Sequence, residues 1–184
     1  VILSETFNRE GLGLAISNRL EKASSGKVLP LEMTEESEAD SCDSPDNFIS
    51  SKPLKIIMVC TGNTCRSPMA EALFKALWES LGGPFPIKAS SKGIAAVIGQ
   101  SAAEQAISAM ADRGVDIKSH SPGQISKADM EKAHIIITMT GSHKHMLLSA
   151  YPQFGDKIFT LSQLAPETLQ GDVLDPFGQN QGVY

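Results

Sequence analysis

The sequence predicts an α/β fold: a four-stranded parallel sheet with helices on both faces. Two observations carry that expectation. From Leu54 onward, short apolar runs alternate with stretches of helical periodicity, the pattern of a parallel sheet covered on each side. A Gly- and Asn-containing loop at 61–65 also joins the first apolar run directly to a helix, placing polar chemistry at a strand's carboxyl end, where such sheets bind ligands.

The elements follow in order. Leu54–Val59 is the first strand, buried and nearly continuous in apolar residues. A helix starts at Ser67, with Met69, Ala72, Leu73, Ala76 and Leu77 on one side. Ile87–Ser90 is the second strand. Ser101 and Glu104 have capping-box spacing ahead of Ala103, Ala106, Ile107 and Met110, and Gly114 stops that helix. Ser126 caps a short helix, His134–Met139 and Lys157–Thr160 are the third and fourth strands, and Ser142–Ala150 is helical between them.

Val1–Pro53 stands apart. It holds ten acidic and five basic residues, against eleven of each in Leu54–Tyr184, so it accounts for the net charge of −5. Glu32–Asp46 has seven acids and no base, the composition of a solvated linker. The expected organisation is a short helical remnant of a preceding domain at 1–30, an acidic flexible linker at 31–53, and one α/β domain at 54–184. Neither part has the basic balance of a nucleic-acid binder, and no apolar run reaches membrane-spanning length. Three cysteines, one of them read as a catalytic thiolate, point to a reducing compartment and hence the cytoplasm.

The chemistry concentrates in Val-Cys-Thr-Gly-Asn-Thr-Cys-Arg-Ser-Pro, Val59–Pro68. Cys60 and Arg66 bracket a five-residue loop between a buried strand and a helix N-terminus. Inward-pointing amides of Thr61, Gly62, Asn63, Thr64 and Cys65, with the helix dipole, suit a dianionic phosphoryl group. A helix N-terminus and a nearby Arg also favour the thiolate of Cys60, the form that attacks. Arg66 offers a planar fork of donors to two phosphoryl oxygens. Gly62 is expected to take a positive φ, with Asn63 the next most tolerant residue. Ser67 is positioned to cap the helix or to hydrogen-bond the Cys60 sulfur, and Pro68 to take the first helical position. Cys60 and Cys65 lack the further Cys or His pair that a zinc site needs, so neither metal nor cofactor is expected.

Cys60–Pro68, continued by Met69-Ala70-Glu71-Ala72, resembles the signature of the low-molecular-weight protein tyrosine phosphatase family. Asp175-Pro176-Phe177 resembles its downstream Asp-Pro-aromatic loop. The resemblance runs from Leu54 to Tyr184 and implies that fold without its final helix, so that 54–184 is a C-terminally truncated domain. It implies Cys60 as nucleophile, Arg66 as phosphate clamp and Asp175 as acid, with Asp172 a rival lacking the Pro-aromatic context. It also places Ser91 and His120 beside the loop as supporting residues, although Lys92 departs from the family's usual small residue. His134, His143 and His145 find no supporting context, and His143 and His145 are read as solvated.

Within the family, Thr64, followed downstream by Phe177, resembles the bacterial protein arginine phosphatases. Phosphotyrosine enzymes of this type usually carry a larger aliphatic residue at the Thr64 position. The implied activity is hydrolysis of phosphoarginine on phosphorylated protein substrates through a phosphocysteine. Phosphotyrosine hydrolysis is the alternative, and arsenate reduction and a lapsed phosphate-binding module are more distant ones. A Cys60–Cys65 disulfide is a compatible redox switch. Separately, Gly11–Ala23 resembles the closing segment of threonylcarbamoyl-AMP synthases, which implies a fusion to an upstream synthase domain.

Overall fold

The computed structural model describes residues 52–82, 86–166 and 169–184. The expectations for 1–30 and for all but the end of 31–53 lie outside the described residues, as does Cys42.

Four strands form one parallel sheet: β1 (Leu54–Cys60), β2 (Ile87–Gly93), β3 (Ile135–Thr138) and β4 (Ile158–Thr160), in the order β2-β1-β3-β4. Connections run from β1 to one side and then back past it to the other. The carboxyl end of β1 therefore adjoins a topological switch point, where an α/β sheet opens a crevice. Along β1, Ile56 and Met58 enter one core with Ile135, Ile137, Phe74 and Trp78. Ile57 and Val59 enter the other with Ile136, Ile158, Met130 and Leu147. Burial on both faces explains why the strand reads as continuous apolar sequence. β2 runs three residues beyond its expected end because Ser91, Lys92 and Gly93 pair with Met58, Val59 and Cys60.

Helix α1 (Arg66–Ser80) follows the first loop directly. It buries Met69, Ala70, Phe74 and Trp78, whereas Ala76 is exposed. The inward face is thus rotated from the expected one, because the large aromatic surfaces of Phe74 and Trp78, 5.8 Å apart, dominate the burial. Its N-cap is Cys65, without a side-chain cap. Pro68 is its third residue, not its first, and still removes an N–H that has no intrahelical partner.

Helix α2 (Glu104–Ala111) is capped by Ala103 with no side-chain bond, so the expected Ser101–Glu104 box does not form. The helix starts too late for Ser101 to be its N-cap, and the Ala103 N–H is instead taken by the Thr64 carbonyl. Helix α3 (Lys127–Lys132) has a complete capping box between Ser126 and Asp129. Helix α4 (Gly141–Ala150) is capped by Thr140, whose hydroxyl accepts the His143 N–H. A 3-10 turn (Pro152–Lys157) leads into β4, and the short α5 (Leu161–Leu164) follows with a Thr160–Gln163 box.

Candidate active site

Cys60 ends β1, 3% exposed. Its Sγ accepts the Asn63 N–H at 3.3 Å and lies 3.0 Å from the Ser67 hydroxyl. The N-terminus of α1, with no acid in its first turn, adds partial positive charge beside the sulfur. Ser67 is thus drawn to the sulfur and does not cap the helix.

Asn63 is the hub of the loop. It alone among the described non-glycine residues has positive φ, 58°; Gly62, expected to take that role, does not. Its Nδ2 donates to Ser67 Oγ at 2.8 Å and to Ser91 Oγ at 2.9 Å, and its Oδ1 accepts from the Gly123 N–H at 2.9 Å. Its carbonyl lies 2.8 Å from His120 Nε2. The side-chain amide thereby ties the loop to α1, β2 and the 120–124 segment at once. Packing is equally close behind it, where a Cβ on Gly93 would lie 2.6 Å from the Thr61 carbonyl oxygen.

Arg66 is buried, and its Nη2 donates to Asp175 Oδ2 at 2.8 Å. The other carboxylate oxygen accepts from the Phe177 N–H at 3.2 Å, a turn that holds Asp175 over the loop while Phe177 remains exposed. Asp172 is engaged elsewhere, accepting from the Gly141 N–H at the start of α4 at 2.6 Å. Thr64 is partly buried, with its Oγ1 3.5 Å from Cys65 Sγ. Cys65 is a free, buried thiol 3.8 Å from the Tyr184 hydroxyl. Burial and then the contact with Cys65 push the Tyr184 phenol up to about 12, so it is a neutral donor at physiological pH.

His143 overturns its sequence reading. It is buried, with Nδ1 2.8 Å from Thr140 Oγ1 and Nε2 2.9 Å from Thr61 Oγ1, the residue following Cys60. Burial, and secondarily the Arg66 charge, lowers its pKa below the usual 6.5, against opposing pulls from Asp175 and Asp172. His145 is exposed, so the two imidazoles do face different ways, but one of them faces the loop. The available signal was Thr140, an N-cap residue three positions before the histidine.

Loop, clamp, carboxylate and supporting residues thus come together at the carboxyl end of β1. Among the described residues, no group of three His, Cys, Asp or Glu is placed to hold a metal ion, and no helix is long and apolar enough to cross a membrane.

A family model described as low molecular weight phosphotyrosine protein phosphatase matches residues 55–184. A protein-arginine-phosphatase of Bacillus subtilis is 38% identical, the match covering 71% of this chain and 85% of the relative. Among solved structures, a low molecular weight protein tyrosine phosphatase from T. tengcongensis is 39% identical with a TM-score of 0.65, over 71% of this chain and 86% of that one. A YwlE arginine phosphatase mutant with a phosphorylated active-site serine is 37% identical with a TM-score of 0.66, over 71% and 84%.

Proposed function

This chain belongs to the low molecular weight phosphotyrosine protein phosphatase family, and we propose that it hydrolyses phosphoarginine on proteins through a phosphocysteine at Cys60. The observation that carries the reading is the grouping of three parts: a sulfur bonded by the Asn63 amide and the Ser67 hydroxyl, a buried guanidinium, and a carboxylate on that guanidinium.

In the first step the Cys60 thiolate attacks phosphorus in line, forming the S–P bond as the P–N bond to arginine breaks. Asp175, protonated, gives its proton to the departing nitrogen. A free guanidine is strongly basic, so this proton transfer matters more than it would for a phenol. Arg66 and the amides of Thr61–Cys65 hold the equatorial oxygens, the positioning and charge stabilisation that phosphoryl transfer requires. In the second step water attacks phosphorus, the Asp175 carboxylate takes its proton, the S–P bond breaks, and orthophosphate and the thiolate result.

Preference for phosphoarginine rests on Thr64 and Phe177, and relatives named arginine phosphatases support it. Relatives named tyrosine phosphatases favour the second reading, phosphotyrosine. A thiolate nucleophile supports a reducing compartment, the cytoplasm. Phosphoarginine and phosphotyrosine peptides assayed side by side decide between the two substrates. A faster kcat/KM on phosphoarginine is expected, and a strong phosphotyrosine preference refutes the Thr64 reading. Acid-quenched mass spectrometry is expected to find phosphorus on Cys60, and Cys60→Ser to lose turnover. Retained turnover in that variant would end the proposal.

A further inference from the structure

His143 lies outside the nucleophile, clamp and acid, yet it is buried against the loop that carries them. Its hydrogen-bond geometry fixes more than its position. Thr140 Oγ1 accepts the backbone N–H of His143 at 3.2 Å, and the same oxygen lies 2.8 Å from His143 Nδ1. The arrangement that gives the Thr140 hydroxyl hydrogen an acceptor has it donated to Nδ1. The ring proton is then on Nε2, which donates to Thr61 Oγ1 at 2.9 Å. In the other tautomer Nδ1–H meets Thr140 Oγ1, and the hydroxyl hydrogen of a nearly buried threonine loses its acceptor. With Nε2–H on its oxygen, Thr61 keeps its own hydroxyl hydrogen for another partner. Thr61 follows Cys60 and is exposed.

We propose that His143 is a positioning residue whose neutral Nε2–H tautomer orients the Thr61 hydroxyl to donate to a phosphoryl oxygen above Cys60. The loop's amides then gain a side-chain donor positioned from α4, an element that supplies none of the site residues expected from the sequence. The inference rests on the phosphatase reading for the identity of the anion, but the tautomer itself does not.

Protonation works against the arrangement. An imidazolium makes Nδ1 a donor, which opposes the Thr140 hydroxyl hydrogen and disturbs the N-cap of α4. It also adds a cation beside Arg66. The groups that bear on the ring are Arg66 from α1, Asp172 and Asp175 from the 171–177 segment, and the Thr61 and Thr140 hydroxyls. Lys144 is its neighbour on α4 and donates to Gln163. Both carboxylates pull toward the charged ring; burial and Arg66 pull away.

Two measurements test the proposal on the full chain. Long-range 1H–15N histidine spectra are expected to show Nε2 protonated and Nδ1 unprotonated at neutral pH. Titration with inorganic phosphate is expected to shift the His143 signals. An Nδ1–H tautomer, or no response to phosphate that perturbs the loop amides, overturns the idea without reference to turnover.

The second measurement is the pH profile of kcat/KM on p-nitrophenyl phosphate, expected to fall at low pH, for Thr61→Val, His143→Ala, His143→Gln and Thr61→Val/His143→Ala. Each of the first two is expected to lose about 10-fold to 100-fold, the share of one hydrogen bond to a charged oxygen. The double variant is expected to lose no more than Thr61→Val alone. Gln, whose side-chain N–H reaches toward the Nε2 position, is expected to recover most of the rate and to lose the histidine's share of the low-pH fall. Multiplying losses in the double variant, or an unchanged acid limb in an active His143→Gln, refutes the coupling. If His143→Ala does not fold, the spectra and the Thr61→Val and His143→Gln profiles still decide. Should Cys60→Ser keep its turnover while these results hold, the proposed function fails and the Thr61–His143 coupling survives.

Discussion

Gly93→Ala tests the packing behind the phosphate loop. The added Cβ would lie 2.6 Å from the Thr61 carbonyl oxygen, 2.9 Å from Ala96 Cβ and 3.1 Å from the Gly62 carbonyl carbon. A carbon–oxygen contact ordinarily settles at ~3.3 Å, so relief needs a shift of roughly half an ångström or more. Two of the three contacts are backbone, and the Thr61 oxygen is pinned by the Ala95 N–H at 2.9 Å. Gly93 is itself held between Cys60 in the sheet, the Gly123 carbonyl and the Ile125 N–H. The residue that gives way is therefore in the loop. Overpacking of this kind costs about 1–3 kcal/mol in stability. A misplacement near 1 Å costs about 100-fold in rate, so a loss of roughly 10-fold to 100-fold in kcat/KM is expected. Turnover of p-nitrophenyl phosphate with a thermal melt measures both. Gly82→Ala is the control: its φ is +79° with nothing near the added Cβ, so it is expected to lose stability but not activity. Gly93→Ala turning over within threefold of wild type would refute the steric argument.

Four other outcomes are expected. Asn63→Ala loses three side-chain bonds, two of them buried, and a tolerant residue at positive φ, and urea unfolding should show a loss of about 3–5 kcal/mol. Asp175→Asn keeps an oxygen for Arg66, so its melting temperature should barely move. Its kcat on phosphoarginine should fall about 10²–10⁴-fold, and less on p-nitrophenyl phosphate, whose leaving group needs little protonation. Thr64→Ile should move the ratio of phosphoarginine to phosphotyrosine turnover toward phosphotyrosine; an unchanged ratio removes Thr64 from specificity. Because the folded pKa of His143 lies below 6.5, the unfolded chain takes up that proton first as pH falls. Its share of stability is complete above 6.5, declines between 6.5 and the folded value, and then levels off. Urea midpoints across this range should fall less steeply in His143→Gln.

The sheet and the loop were legible because each is written in contiguous residues. β1 is an unbroken apolar run, and the spacing of Cys60, Asn63, Arg66 and Ser67 is itself the loop geometry. Errors arose where long-range packing decides. Ser101 and Glu104 have the spacing of a capping box, but the Thr64 carbonyl takes the Ala103 N–H, and the helix begins with no side-chain cap. The extension of β2 to Gly93 depends on pairing with β1, which its own residues do not announce. His143 illustrates the limit most clearly. Helical spacing separates it from His145 but cannot say which of the two meets a loop 82 residues earlier in the chain.

The Arg66–Asp175 pair has a consequence for how anions enter and leave. One guanidinium nitrogen, Nη2, is already committed to the Asp175 carboxylate, so on the proposed roles a phosphoryl dianion reaches it by exchange rather than by simple addition. With Asp175 as the proposed acid, its displacement from Arg66 frees it toward the leaving nitrogen, which would couple arrival to readiness for proton transfer. On the same proposal, re-formation of the 2.8 Å pair would compete with orthophosphate for Arg66, so a carboxylate at this position would favour turnover over tight product retention.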